Sequence, residues 1–228
     1  MFPPQSRLGL AAVLNQAGTR MRRFLQRWRL FWTLVIVISI AIALKLPAVD
    51  LHTDLGWLLM IQRAVKCALP FFVVAISASS LAQLFPGAAT RWLLANRRYI
   101  GLAFAFGMGV HFSLILWLVG PRGFRGLHLV ITVVDLVGAA FLAAMTITSF
   151  PRLSRWLSPS GWRRLHKSGV YVIWSVAVYV YLEGGLPKFH NWKEAAPLVG
   201  LFAAMMLRMV AWLQRRLPRL SVAAARDD

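Results

Sequence analysis

The chain has 228 residues, of which 59% are hydrophobic and 14% charged, against roughly 45–50% and ~25% in soluble domains. With a mean hydropathy of +0.63, this composition excludes a soluble globule and describes an integral membrane protein of several helices. The formal net charge is +19, yet 21 of the 26 basic residues are arginine and most stand in short patches beside apolar runs. Orientation signals and anionic lipid headgroups account for such patches, so membrane lipid is the expected partner and nucleic acid is not. The single cysteine, Cys67, excludes an internal disulfide, a cysteine-based zinc site, an all-cysteine iron–sulfur cluster and covalent haem attachment through Cys-x-x-Cys-His.

Residues 1–29 hold six arginines and no acid, with apolar residues recurring loosely at helical spacing (Leu8, Leu10, Ala11, Leu14, then Met21, Phe24, Leu25, Trp28). This segment is read as a basic cytoplasmic flank of the first span. A helix lying on an anionic membrane face and an arginine-rich leader fit the same composition. No cleavable signal peptide is expected, because the first long apolar run starts only near Leu30.

Six apolar runs follow, predicting spans over about 30–48, 65–84, 99–119, 129–149, 162–182 and 195–214, the second kinked at Pro70. Of the 26 basic residues, 19 fall in the N-terminus, the second-to-third and fourth-to-fifth connections and the C-terminal region from Arg208. The other side holds Lys45, Arg63, Lys66, Arg122, Arg125, Lys188 and Lys193, with Asp50, Asp54, Glu183 and Glu194. By the positive-inside rule this predicts an all-α bundle of six transmembrane helices with both termini cytoplasmic. The organisation is then a basic segment over 1–29, a helical domain over 30–216 and a cytoplasmic tail over 217–228.

Few polar groups fall at membrane depth. His111, inside the third span, is the leading one, because an ionisable side chain there is costly and marks function by default. Gly101, Gly107 and Gly109 precede or flank it, and admit either close helix packing or a flat ligand. His166 stands at the cytoplasmic end of the fifth span, in WRRLHKSGVYVIWSVAVYVYL (162–182), within a collar of Arg163, Arg164 and Lys167. Asp135, early in the fourth span, has two readings: it relays protons or pairs with a cation, or it reaches the outer interface. His52, His128 and His190 fall in outer loops and are read as solvated. Trp57, Trp92, Trp117, Trp156, Trp162 and Trp192 fall near span ends, where interfacial belts belong.

Two of these segments, RRYIGLAFAFGMGVHFSLI and TSFPRLSRWLSPSGWRRLHKSGVY, resemble the ferric-reductase-like transmembrane domain. The shared pattern comprises Arg97, Arg98, Ile100, Gly101, Leu102 and His111, then Thr148, Ser149, Trp162, Leu165, His166 and Tyr171. Within that family it is most similar to the bacterial haem-containing membrane subunit that passes quinol electrons to a periplasmic methionine sulfoxide reductase. The resemblance implies a bundle in the bacterial inner membrane with b-type haem between the third and fifth spans. It also implies quinone or a flavin reductase as donor and a periplasmic oxidoreductase as acceptor. His111 is then an axial ligand, His166 a second ligand or a neighbour of a haem propionate, and Arg163 and Arg164 neutralise propionates.

The chain departs from the family where a second histidine is carried further along the fifth span. Tyr179 or Val180 stands there, depending on a one-residue slip around Gly169. Helical rise places His111 roughly 15–20 Å from the cytoplasmic end of its span. His166 lies at that end, whereas the two axial nitrogens of one iron sit only about 4 Å apart. The two histidines are therefore at the wrong depths to share an iron, and Tyr179 is at the depth to face His111, where a tyrosinate can ligate. The expected function is a haem b-dependent electron-transfer subunit that needs a partner. The alternative is a haem-less member acting as an assembly or anchoring subunit, and a small transporter using Asp135 and His111 is a more distant third.

Overall fold

The computed structural model describes residues 26–44, 46, 49–50, 52–119, 129–183 and 192–224. Within them the chain forms α1 (Trp28–Ala43), α2 (Asp54–Leu84), α3 (Ala88–Val119), α4 (Leu129–Ile147), the single turn α5 (Pro151–Ser154), α6 (Pro159–Glu183) and α7 (Trp192–Ala224), and no strand. Each of the six apolar runs coincides with one long helix. Three helices are long and apolar enough to cross a membrane, over Leu55–Leu84, Ala88–Trp117 and Ala195–Arg216. Trp28–Ala43 and Val133–Ile147 are shorter apolar helices, and α6 carries its basic collar in its first turns. Large apolar side chains face outward on all six, among them Trp32, Leu58, Leu116, Leu136, Leu182 and Val199. In water such a surface would aggregate; against lipid it needs no cover.

Several helices run beyond the apolar runs because their polar ends find partners. α2 begins at Asp54, where the Thr53 hydroxyl accepts the Gly56 N–H at 3.1 Å and caps the helix. It continues through Pro70 without breaking, and Arg63 turns to the Ala41 carbonyl near the end of α1. α3 begins at Ala88, eleven residues ahead of the predicted span, and carries the buried Asn96. The Asn96 side chain accepts the Arg27 N–H at 2.9 Å and donates to the Trp92 carbonyl at 2.9 Å. That contact holds Arg27 in the left-handed region (φ 55°) just before α1. α7 extends to Ala224, so most of the expected C-terminal tail is helical backbone. Residues 1–25, His128 and His190 lie outside the described residues.

The contacts fix the direction of every long helix. Ile61 meets His111, Ala68 meets Gly107 and Phe72 meets Phe104, so α2 and α3 are antiparallel. α1 runs with α3, pairing Trp28 with Tyr99 and Ile38 with Gly107. α7 runs with α2, pairing Val73 with Gly200 and Gln83 with Ala211. α4 and α6 are antiparallel, with Gly138 against Val176, Met145 against Gly169 and Thr148 against His166. α6 runs with α3: Gly101 and Val170 line one cavity, and His111 and Tyr181 line the next. Helix direction therefore alternates along the chain, and α1 starts at the end of the bundle where α7 finishes. Small residues let α2 and α3 approach closely, since Ala64, Ala68 and Ala103 are wholly buried. One core gathers Ala68, Phe72, Ile76, Phe104, Ile173 and Leu201; a second joins Ile38 and Ile42 to Met60, Ala64 and Ala103.

Candidate functional site

His111 hangs from α3 toward α2, with its Nδ1 3.2 Å from the Ile61 carbonyl oxygen. A carbonyl can only accept, so Nδ1 carries the proton and Nε2 keeps its lone pair. A ring nitrogen tied to a carbonyl while the other stays basic is the arrangement that orients metal-ligating histidines. His111 lines a chamber of about 110 Å³ between α2, α3, α4 and α6, together with Met108, Phe112, Asp135, Val180 and Tyr181. Asp135 thus turns inward, and its carboxyl feels the charge of Glu183.

His166 is held differently. Its ring stacks on Trp162 at 4.2 Å, and Trp162 donates its indole N–H to the Thr148 carbonyl at 3.1 Å. The Thr148 hydroxyl donates to the Ala144 carbonyl at 2.7 Å, so its oxygen accepts from His166 Nε2 at 3.2 Å. The proton on His166 is thereby placed on Nε2 and the lone pair on Nδ1. Thr148 and Trp162 together form the seat of this imidazole, while the Ser149 hydroxyl donates to the Met145 carbonyl at 2.7 Å.

His166 faces a cavity of about 900 Å³, bounded by α2, α3, α4, α6 and α7. Its walls are apolar, with Phe72, Phe104, Leu142, Met145 and Ile173 among them. Its cations are Arg97 and Arg98 from α3, Arg163 and Lys167 from α6, and Arg208 from α7, and among the described residues no carboxylate lines it. Gly101 leaves the α3 wall bare, because a Cβ there would meet nothing within 4 Å. Arg208 donates to the Ile76 carbonyl at 3.3 Å and lies 5.4 Å over the Tyr171 ring, a cation–π contact. The Nε atoms of both Arg98 and Arg208 are buried with no hydrogen-bond partner among the described residues.

The two histidines stand apart, as helical rise predicts, but Tyr179 and the arginines are placed differently from the expectation. Phe104, Leu142 and Ile173 line both cavities and form a partition, with His166 on one side and His111 on the other. Tyr179 lines neither; its hydroxyl pairs with Glu183. At 100° per residue, Tyr179 is about 220° around α6 from His166, whereas Val180 and Tyr181 are within about 60° of it. The place opposite His111 is therefore taken by Val180, with Tyr181 beside it. Arg163 is exposed at the cavity rim, and Arg164 is exposed and outside the lining. Arg98 and Arg208 are half-buried instead, each with a buried Nε. The signal for Arg208 was present in the sequence as an arginine seven residues inside the Arg215-Arg216 boundary. Among the described residues, no three of His, Cys, Asp and Glu gather as a metal site. No family model, curated protein or solved structure matches the chain.

Proposed function

We propose that the chain is a six-span membrane subunit of an electron-transfer system that holds b-type haem in the cavity between α3, α4 and α6. One observation carries this reading: an apolar cavity of about 900 Å³ whose polar lining includes an imidazole and five cations, with no carboxylate among the described residues. Haem is the chemical complement, a flat apolar body bearing two carboxylates and an iron that takes imidazole. His166 would hold the iron, and the arginines would neutralise the propionates. Bound haem would supply reversible one-electron chemistry, so the subunit would accept electrons from quinol or a flavin reductase and hand them to a partner oxidoreductase. Phe104, Leu142 and Ile173 would close the far wall of the site and keep His111 in its own chamber. The alternating helix directions and the clustering of 19 of 26 basic residues on one side support six spans with both ends cytoplasmic, in a bacterial inner membrane.

A second reading has its own support. His166 Nε2 is already satisfied by Thr148, and Val180 occupies the place of a second imidazole. A haem-less subunit that assembles or anchors a partner would show the same features. The oxidised and dithionite-reduced absorption spectra of the detergent-purified protein, with a haem-to-protein ratio, separate the two. A sharp reduced α-band lost in His166→Ala supports the redox reading, and a His111→Ala companion reports whether the neighbouring chamber contributes. Protein made with ample haem that shows no Soret band would leave only the anchoring reading.

A further inference from the structure

The arginines in the large cavity are not all alike. Arg63, elsewhere in the bundle, spends its guanidinium on the Ala41 carbonyl. Arg215 and Arg216 are exposed at the end of the apolar part of α7, as an orientation signal should be. Arg208 lies on the same helix about 10 Å deeper, at 1.5 Å per residue. It lines the same cavity as Arg98 from α3, and the Nε–H of each is buried with no acceptor among the described residues. A buried donor left without an acceptor is destabilising, more so when it is charged. Guanidinium groups without a counter-ion are costlier still where water is scarce. Arginine also presents its Nε–H and Nη–H groups as a planar fork that matches the two oxygens of a carboxylate or phosphate. The cavity adjoining the fork is apolar on the α2, α3 and α6 walls, at Phe72, Phe104 and Ile173.

We propose that Arg98 and Arg208 form an oxyanion clamp, drawn from α3 and α7, for the head of an amphipathic anion whose apolar body fills the cavity. Arg97, Arg163 and Lys167 at the rim offset the remaining charge of that head. Two sources carry this chemistry: the propionate of a haem and the phosphate of an acidic phospholipid. The clamp stands on the two unpartnered Nε–H groups, so it does not depend on the occupant being haem.

The test uses the full chain, purified in mild detergent and reconstituted in nanodiscs of phosphatidylcholine with or without one part in five of phosphatidylglycerol. Retained phosphatidylglycerol is counted by native mass spectrometry and haem by its pyridine adduct. The Arg98→Gln/Arg208→Gln double variant should lose retention of its anion at least tenfold, while Arg155→Gln, an exposed arginine outside the cavity, should match the parent. Loss on the haem side alone identifies propionate as the head group; loss on the lipid side alone identifies phosphate, even where no haem is ever bound. Unchanged retention of both in a folded double variant overturns the clamp. Should that variant not fold, the parent protein decides. Its melting temperature should rise with phosphatidylglycerol or haem over phosphatidylcholine alone, and no rise with either overturns the proposal.

Discussion

Two glycines on α3, six residues apart, should respond to substitution in opposite ways. Gly107 faces α2, and a Cβ added there would lie 2.6 Å from the Ala68 Cβ and 3.6 Å from Ile38 Cγ2. Carbon atoms pack at about 3.5–4.0 Å, so Gly107→Ala requires the α2 and α3 backbones to part by about 1 Å. Neither partner can rotate away, since Ala68 has no further side chain and is wholly buried. Overpacking of this kind costs about 1–3 kcal/mol, and the better helix propensity of alanine returns about 0.8–1.0 kcal/mol. The expected net loss is therefore up to about 2 kcal/mol. Gly101 faces the large cavity, where a Cβ meets nothing. Gly101→Leu should keep or raise stability while its side chain intrudes on the cavity and lowers retention of whatever fills it. Reversible unfolding in mixed micelles, titrated with dodecyl sulfate and followed by tryptophan fluorescence, measures both. A Gly107→Ala protein as stable as the parent, or a Gly101→Leu protein less stable than Gly107→Ala, would refute the assignment of packed and open faces to α3.

Further outcomes follow from single hydrogen bonds. Trp174 donates its indole N–H to the Leu201 carbonyl at 2.9 Å and ties α6 to α7. Trp174→Phe keeps the ring and should cost about 1 kcal/mol in the same unfolding titration, the ordinary net worth of such a bond. Thr53 caps α2, so Thr53→Ala should cost about 1 kcal/mol and Thr53→Ser should restore it; hydrogen exchange at the Gly56 amide reports the loss locally.

How much of the site was legible in the sequence differs from residue to residue. His111 was readable as a buried polar group because a lone histidine among apolar residues must find a partner, although only the structure names the Ile61 carbonyl as that partner. The separation of His111 from His166 followed from helical rise alone. Tyr179 illustrates the limit. Depth along a helix is linear in sequence and was estimated correctly enough to reach the right turn, but azimuth changes by 100° per residue, so a two-residue slip turns the side chain to the other face. The same arithmetic applied from His166 would have favoured Tyr181 and Val180.

The sequence by itself determined that the chain is helical and membrane-embedded, where its six apolar runs lie, and which loops carry the positive charge. Those properties are local: they depend on composition within a window and on the cost of burying backbone polar groups in hydrocarbon. Tertiary structure alone decided where the helices end and which arginines share a cavity. α2 and α3 extend past their apolar runs because Thr53 caps one and Asn96 binds Arg27 from the other, and Arg63 is satisfied by a carbonyl twenty-two residues away. Arg98 and Arg208 are 110 residues apart in the chain, and nothing in either neighbourhood marks them as a pair. They line one cavity because α3 and α7 each pack against α2, and a cavity is a property of the space between helices, which no single helix encodes.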